Sequence, residues 1–184
     1  MALIAPEIGI DLGTSAVKLL LMDEKGTIHR VVSKEYPLYF PHPGWSEQNP
    51  EDWYEKTLEG IRELTEGVEK REVAGIGCGG QMHGLVVLDG CDQVIRPAIL
   101  WNDGRTAKQT EYLNQVIGKE TLSKYTANIA FAGFTAPKLL WMQEEEPEHF
   151  AKIAKIMLPK DYLSYRLSGV HCTDYSDASG MLLL

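Results

Sequence analysis

The sequence predicts an α/β fold in which a β-meander is followed by alternating helices and strands. The first observation behind it is a set of strand-like apolar runs, split by turn residues, within about the first forty positions. The second is that amphipathic stretches with three- and four-residue apolar spacing then alternate with short apolar runs. The third is that no repeat, low-complexity tract or linker breaks this order, so the 184 residues suit one domain better than two.

Strand one covers residues 7–11 and strand two residues 16–22, with Asp23-Glu24-Lys25-Gly26 as the turn into strand three, residues 27–36. Pro37, Pro41, Pro43 and Gly44 then impose an irregular passage. A helix starts at Pro50, capped by Asn49, with Trp53, Thr57, Ile61 and Leu64 as its apolar stripe. Residues 73–78 read as a short strand of the kind buried inside an α/β sheet, broken by Gly79-Gly80 and resumed over residues 85–88. Residues 94–100 read as another strand. Helices are predicted over residues 106–117, 136–145, 148–156 and 159–167, with Pro147 separating two of them and Gly169 closing the last. The end, Ser179-Gly180-Met181-Leu182-Leu183-Leu184, is apolar with no polar close. The expectation is a chain cut short of a natural terminus; the alternative is a final edge strand docked into the sheet.

With 44% hydrophobic residues the chain can bury a substantial core, which excludes disorder. Lysine and arginine number 18 against 26 aspartates and glutamates, a formal charge of −8 that argues against a nucleic-acid surface. Small anions stay possible ligands, because a few local N–H groups outweigh net charge. Cys78, Cys91 and Cys172 form no CxxC pair, and the five histidines lack metal-ligand spacing. The opening Met1-Ala2-Leu3-Ile4-Ala5-Pro6 is too short for a signal peptide's apolar stretch and lacks its basic start, and no run has membrane-spanning length. A cytoplasmic protein without membrane or nucleic-acid partners is expected.

Three stretches carry chemistry. Asp11-Leu12-Gly13-Thr14-Ser15 joins two strands through a turn that offers backbone N–H groups and hydroxyls to an anion, with Asp11 able to hold a cation beside it. Phosphate with Mg²⁺ suits such a turn, and so does a plain hairpin with no ligand. It is not a Walker loop, since Gly118-Lys119 lacks the upstream glycine and is followed by Glu120. Gly79-Gly80-Gln81-Met82-His83-Gly84 follows a strand's carboxyl end, where α/β sheets bind ligands. Gln81 and His83 there suit sugar hydroxyls, or His83 bonds only to nearby backbone. Trp101-Asn102-Asp103-Gly104-Arg105 pairs an indole face with polar groups that read hydroxyls, or forms a core tryptophan, a turn and a solvated arginine. A further cluster, Thr173-Asp174-Tyr175-Ser176-Asp177-Ala178-Ser179, has the composition of a cap or turn.

Taken in order, these stretches with Gly133-Phe134-Thr135-Ala136-Pro137-Lys138-Leu139-Leu140-Trp141 and Leu158-Pro159-Lys160-Asp161-Tyr162-Leu163 resemble the N-terminal part of the FGGY carbohydrate kinases. The xylulokinases of that family share Gly80-Gln81-Met82-His83-Gly84, the run from Pro97 to Arg105 and the stretch from Gly133 to Trp141 almost letter for letter. Pro43-Gly44-Trp45-Ser46-Glu47-Gln48 fits as well. The resemblance spans residues 8–184.

It implies a ribonuclease-H-like, actin-type fold and an N-terminal domain over residues 1–184, with the C-terminal nucleotide-binding domain missing. It also implies phosphorylation of D-xylulose by ATP with Mg²⁺, or of gluconate, ribulose or fuculose in its place. Asp11 would be the catalytic carboxylate, placing Mg²⁺ directly or through water, and Gly13, Thr14 and Ser15 would face the transferred phosphate. Gln81, Met82 and His83 would bind sugar, with Trp101, Asn102, Asp103 and Arg105 beside them. The family's catalytic base, an aspartate followed by Asn in a Gly-rich segment, has no counterpart here and is expected downstream. Asp11, Asp103, Asp174 and Asp177 are the only substitutes. An isolated chain would then be a non-catalytic sugar-binding piece. Oligomeric state stays open, a homodimer included.

Overall fold

A computed structural model describes residues 5–183. In chain order the strands are β1 (Glu7–Leu12), β2 (Ala16–Met22), β3 (Ile28–Glu35), β4 (Glu47–Gln48), β5 (Gly75–Gly80), β6 (Val86–Leu88), β7 (Ala98–Ile99) and β8 (Lys155–Met157). The helices are α1 (Pro50–Leu64), α2 (Ala107–Tyr112), α3 (Lys119–Thr126), α4 (Thr135–Glu145), α5 (Pro147–Phe150), α6 (Pro159–Ser168) and α7 (Tyr175–Ala178). They group into two compact units, one of Met1–Pro37 with Glu51–Gln81 and one of Leu38–Pro50 with Met82–Leu184.

The first unit is a four-stranded mixed sheet in the order β3-β2-β1-β5 with α1 against it. The predicted meander forms, Glu7 facing Met22 and Leu12 facing Val17. Its second turn is tied by Asp23, whose Oδ1 accepts from the N–H groups of Lys25 and Thr27 at 2.9 and 3.0 Å, with Gly26 at φ 79°. Alternation turns Ile8, Ile10, Leu12, Val17, Leu19 and Leu21 to one buried face. On that face α1 lies so close that a Cβ on Gly60 would stand 2.4 Å from Leu19 Cδ1. Trp53, Thr57 and Leu64 of the predicted stripe are fully buried, while Ile61 is half-buried. Arg30 closes the helix by donating to the carbonyls of Glu63, Leu64 and Glu66.

β5 runs parallel to β1, Asp11 abreast of Gly79 and Leu12 of Gly80. It corrects two expectations. Among the described residues the strand stands at the edge of the sheet, with Ile76 49% exposed, where a buried strand is expected. It also runs through Gly79-Gly80 instead of breaking there, since the missing side chain lets Gly80 approach Leu12: a Cβ would fall 2.7 Å from Leu12 Cβ.

The second unit holds two short ladders, β4–β7 and β6–β8, both antiparallel. Leu85, Val87, Ile99, Trp141 and Met142 form one core cluster and Leu122, Ala130, Ala136 and Leu182 another. The helix predicted over residues 148–156 ends at Phe150, and β8 takes its second half because Ile156 pairs with Val87. Tertiary pairing overrides local preference there. The strand predicted over 94–100 shortens to β7, with Val94 bridging only to Leu88. The helix predicted over 106–117 is α2 followed by a π-helical stretch, Leu113–Gly118, and α3 was not foreseen. Near the end, Ser179–Met181 is a 3₁₀ turn with Leu182 buried, not an edge strand. The predictions for Met1 to Ile4 and for Leu184 lie outside the described residues. Among the described residues no helix is long and apolar enough to cross a membrane.

Candidate functional site

In the first unit the carboxyl ends of parallel β1 and β5 bring two predicted motifs together. The Gln81 N–H donates to the Leu12 carbonyl at 2.8 Å, so Gln81 lies next to the turn that follows Asp11. Asp11 is exposed, faces Lys18 across the β1–β2 ladder and has only Gly79 on its other flank. A cavity of about 350 Å³ opens beside it over the backbones of Gly9 and Gly77 and the side chains of Leu20 and Val31. Gly13 turns the chain by donating to the carbonyls of Asp11 and Ala16, both at 3.1 Å. Tyr36, 7% exposed, holds that turn twice: its hydroxyl donates to the Gly13 carbonyl and its N–H to the Ser15 carbonyl at 3.4 Å. Burial, then the charge of Asp11, pushes the Tyr36 phenol above its ordinary range. Thr14 is half-buried and Ser15 exposed. The turn therefore offers a carboxylate and hydroxyls on a rigid backbone, a donor set that suits an anion with a hard cation.

In the second unit Met82 is 53% exposed and His83 sits at φ 59°, a left-handed conformation costly for any side chain with a Cβ. The His83 ring lies 4.5 Å from the Phe134 ring and against Gly180, where a Cβ would come within 2.5 Å of the imidazole. Burial, then the nearby Lys138 charge, lowers the His83 pKa, against the opposing pull of Asp177. A neutral imidazole at pH 7 can both donate to and accept from hydroxyls. Behind it, Lys138 is fully buried and donates to the carbonyls of His83 and Gly133 at 2.8 and 2.6 Å. Burial pushes the Lys138 amine down to about 7, opposed by Asp103 and aided by Arg105.

The Trp101–Arg105 stretch divides. Trp101 is 46% exposed and Asn102 exposed, with Gly133 packed so near that a Cβ there would stand 2.6 Å from the Trp101 carbonyl. Asp103 and Arg105 instead turn inward. Asp103 accepts from the N–H of Ser46 at 2.6 Å and from Arg105 Nε and Nη2 at 2.8 and 2.7 Å. Arg105 also reaches Glu47 at 2.8 Å and lies 3.7 Å over the Trp45 ring. Glu47 in turn pairs with Arg96, which pairs with Glu146 at 2.6 Å. These buried charges compensate one another, and breaking such a pair typically costs about 3–5 kcal/mol. The 173–179 cluster caps α7: Asp174 accepts from the Asp177 N–H at 2.9 Å and pairs with Lys160 at 2.7 Å. Lys160 is ringed by Asp161 and Asp177 as well, at 2.6 and 3.5 Å.

Tyr36, Thr135 and Lys138 support these loops and were missed from sequence. For Lys138 a signal existed: Thr135, Lys138 and Met142 stand at three- and four-residue spacing, one face of α4, and all three are fully buried.

Residues 7–184 match the N-terminal domain of the FGGY family of carbohydrate kinases. The chain belongs to that family. It is 50% identical over 179 residues to the xylulose kinase of Bacillus subtilis, covering 96% of this chain and 36% of that protein. It superposes on the crystal structure of a xyloylose kinase from Brucella ovis with a TM-score of 0.90 at 43% identity, covering 96% of this chain and 37% of that one. A gluconate kinase from Lactobacillus acidophilus superposes equally, TM-score 0.90, at 28% identity over 97% of this chain and 37% of that one. The fold is thus the actin-like one expected, and the chain spans little more than a third of the relatives it matches.

Proposed function

We propose that this chain is the N-terminal, sugar-binding part of an ATP-dependent kinase that converts D-xylulose to D-xylulose 5-phosphate. The observation that carries the reading is the parallel pairing of β1 with β5, which sets the Asp11 turn beside Gln81 at the carboxyl ends of both strands. Asp11 then serves the transferred phosphate, with Gly13, Thr14 and Ser15 shaping the turn that faces it. Gln81, Met82, His83, Trp101 and Asn102 bind the sugar, and Asp103 and Arg105 hold the tryptophan turn from behind. Phosphoryl transfer asks mainly for positioning and charge neutralisation, which such groups supply.

Mg²⁺ fits at Asp11. The ion is commonly held by one or two carboxylates plus substrate phosphates, and among the described residues no cluster of three His, Cys, Asp or Glu could hold a metal unaided. When bound, it neutralises charge on the phosphates. The proton-accepting carboxylate is assigned outside these residues, because Asp103 is engaged by Arg105, Asp174 and Asp177 by Lys160, and Asp11 is given to the phosphate. Cys78, Cys91 and Cys172 form no disulfide, which accords with a reducing cytoplasm.

A coupled ADP-release assay on the full-length protein, over D-xylulose, D-ribulose, L-fuculose, gluconate and glycerol, tests this. The highest kcat/KM is expected for D-xylulose; preference for gluconate or glycerol overturns the substrate. The 184-residue chain alone is expected to bind sugar weakly in calorimetry and to release no sugar-dependent ADP. Sedimentation of the full-length protein reads whether two copies pair.

A further inference from the structure

Lys138 is fully buried and donates to two loop carbonyls, His83 at 2.8 Å and Gly133 at 2.6 Å. One amine therefore ties the loop that carries His83 to the loop that carries Phe134, whose ring lies 4.5 Å from the imidazole. The His83 carbonyl accepts a second hydrogen bond, from Thr135 Oγ1 at 3.2 Å. Both donors pull that carbonyl inward, and the residue bearing it stands at φ 59°. A left-handed non-glycine residue persists only where its surroundings over-determine it. Here the over-determination is visible: two donors on the carbonyl, Phe134 beside the ring and the Gly180 backbone against it.

We infer that Lys138 and Thr135 are positioning residues that clasp the His83 carbonyl and thereby hold the sugar-reading imidazole in its binding geometry before sugar arrives. The inference rests on the kinase reading above. Neither side chain touches sugar; each acts through His83. Without the clasp the backbone at His83 relaxes toward negative φ, the ring leaves Phe134, and binding must restore an order that the native loop already has. The effect falls on sugar affinity rather than on the chemical step.

The test uses the full-length protein with the variants Thr135→Val, Thr135→Ser and Lys138→Met. Thr135→Val is expected to raise the sugar KM by about three- to tenfold, the weight of one neutral hydrogen bond, with kcat within about twofold of wild type. Thr135→Ser keeps the hydroxyl and should restore the KM. Lys138→Met should raise it by about tenfold or more, since the amine's hydrogen bonds to both loops are lost. In parallel, the NMR signal of the His83 ring, assigned through His83→Gln, should move in Thr135→Val and Lys138→Met and return in Thr135→Ser. An unmoved ring signal or an unchanged KM in Thr135→Val overturns the proposal, and that variant decides if Lys138→Met does not fold. If the wild-type protein phosphorylates no sugar, the kinase reading fails, while the ring signal still decides whether the clasp positions His83.

Discussion

At the turn after β1 the Gly13 carbonyl accepts from a tyrosine hydroxyl, whereas at the loop before β6 the His83 carbonyl accepts from a buried lysine. Both side chains do one mechanical job, drawing a loop carbonyl inward so that the backbone keeps an otherwise loose shape. Their chemistry differs in what it does with protons. The Tyr36 phenol, pushed up by burial and by Asp11, keeps its donor proton over the whole working range of pH. The Lys138 amine, pushed down to about 7 by burial, changes charge within that range. One loop is thus held by a constant contact and the other by a titratable one.

The largest break between the two regions is expected in kinetics of the full-length protein. Asp11→Asn should lower kcat by about 10²-fold or more at near-constant sugar KM, because charge on the phosphates is then poorly met in the transition state. His83→Ala should raise the sugar KM by about tenfold and lower kcat less. Matching kinetic signatures in both variants would mean that the two loops do not divide the work.

A smaller effect separates the clasps by pH. The folded-state pKa of Lys138 lies below its unfolded value of 10.5, so between about 7 and 10.5 the unfolded chain binds more protons and stability rises with pH. Asp103 and Arg105 face the same amine and pull its pKa in opposite directions. Lys138→Met should flatten this part of the profile in denaturant titrations at several pH values, whereas Tyr36→Phe should leave it parallel to wild type. The smallest effect is the cost of Tyr36→Phe itself. It removes one neutral hydrogen bond to a backbone carbonyl and should cost about 1 kcal/mol at every pH between 6 and 9, read from the same titrations.

The meander was legible because alternation and the Asp23–Gly26 turn act within a few residues, and α1 because its stripe is long. The turns at Gly13–Ser15 and Gln81–Gly84 were legible because glycines and polar residues cluster there. What sequence did not reveal depends on partners far along the chain. β8 is a strand only because Val86–Leu88 lies beside it. Asp103 read as a sugar ligand, yet it is engaged by the Ser46 N–H, 57 residues earlier, and by its own neighbour Arg105. Lys138 stood on the apolar face of its helix but carried the residue type of a solvated one. β5 reads as a buried strand from its apolar run, yet among the described residues it stands at the sheet's edge.

The division of the chain has a consequence for synthesis. The polypeptide leaves the first compact unit after Pro37, returns after Pro50 and leaves again after Gln81, so neither unit is one contiguous stretch. During translation Glu47–Gln48 emerges well before Ala98–Ile99, its partner strand, and before Arg96 and Arg105, which neutralise Glu47. β1 likewise waits for β5 on one side while β2 and β3 close on the other. Closing such long loops is slow, and apolar edges stay open meanwhile. A ribosome stalled before Arg96 would hold a segment whose carboxylate and strand both lack their partners, so nascent chains of that length should depend most on chaperones.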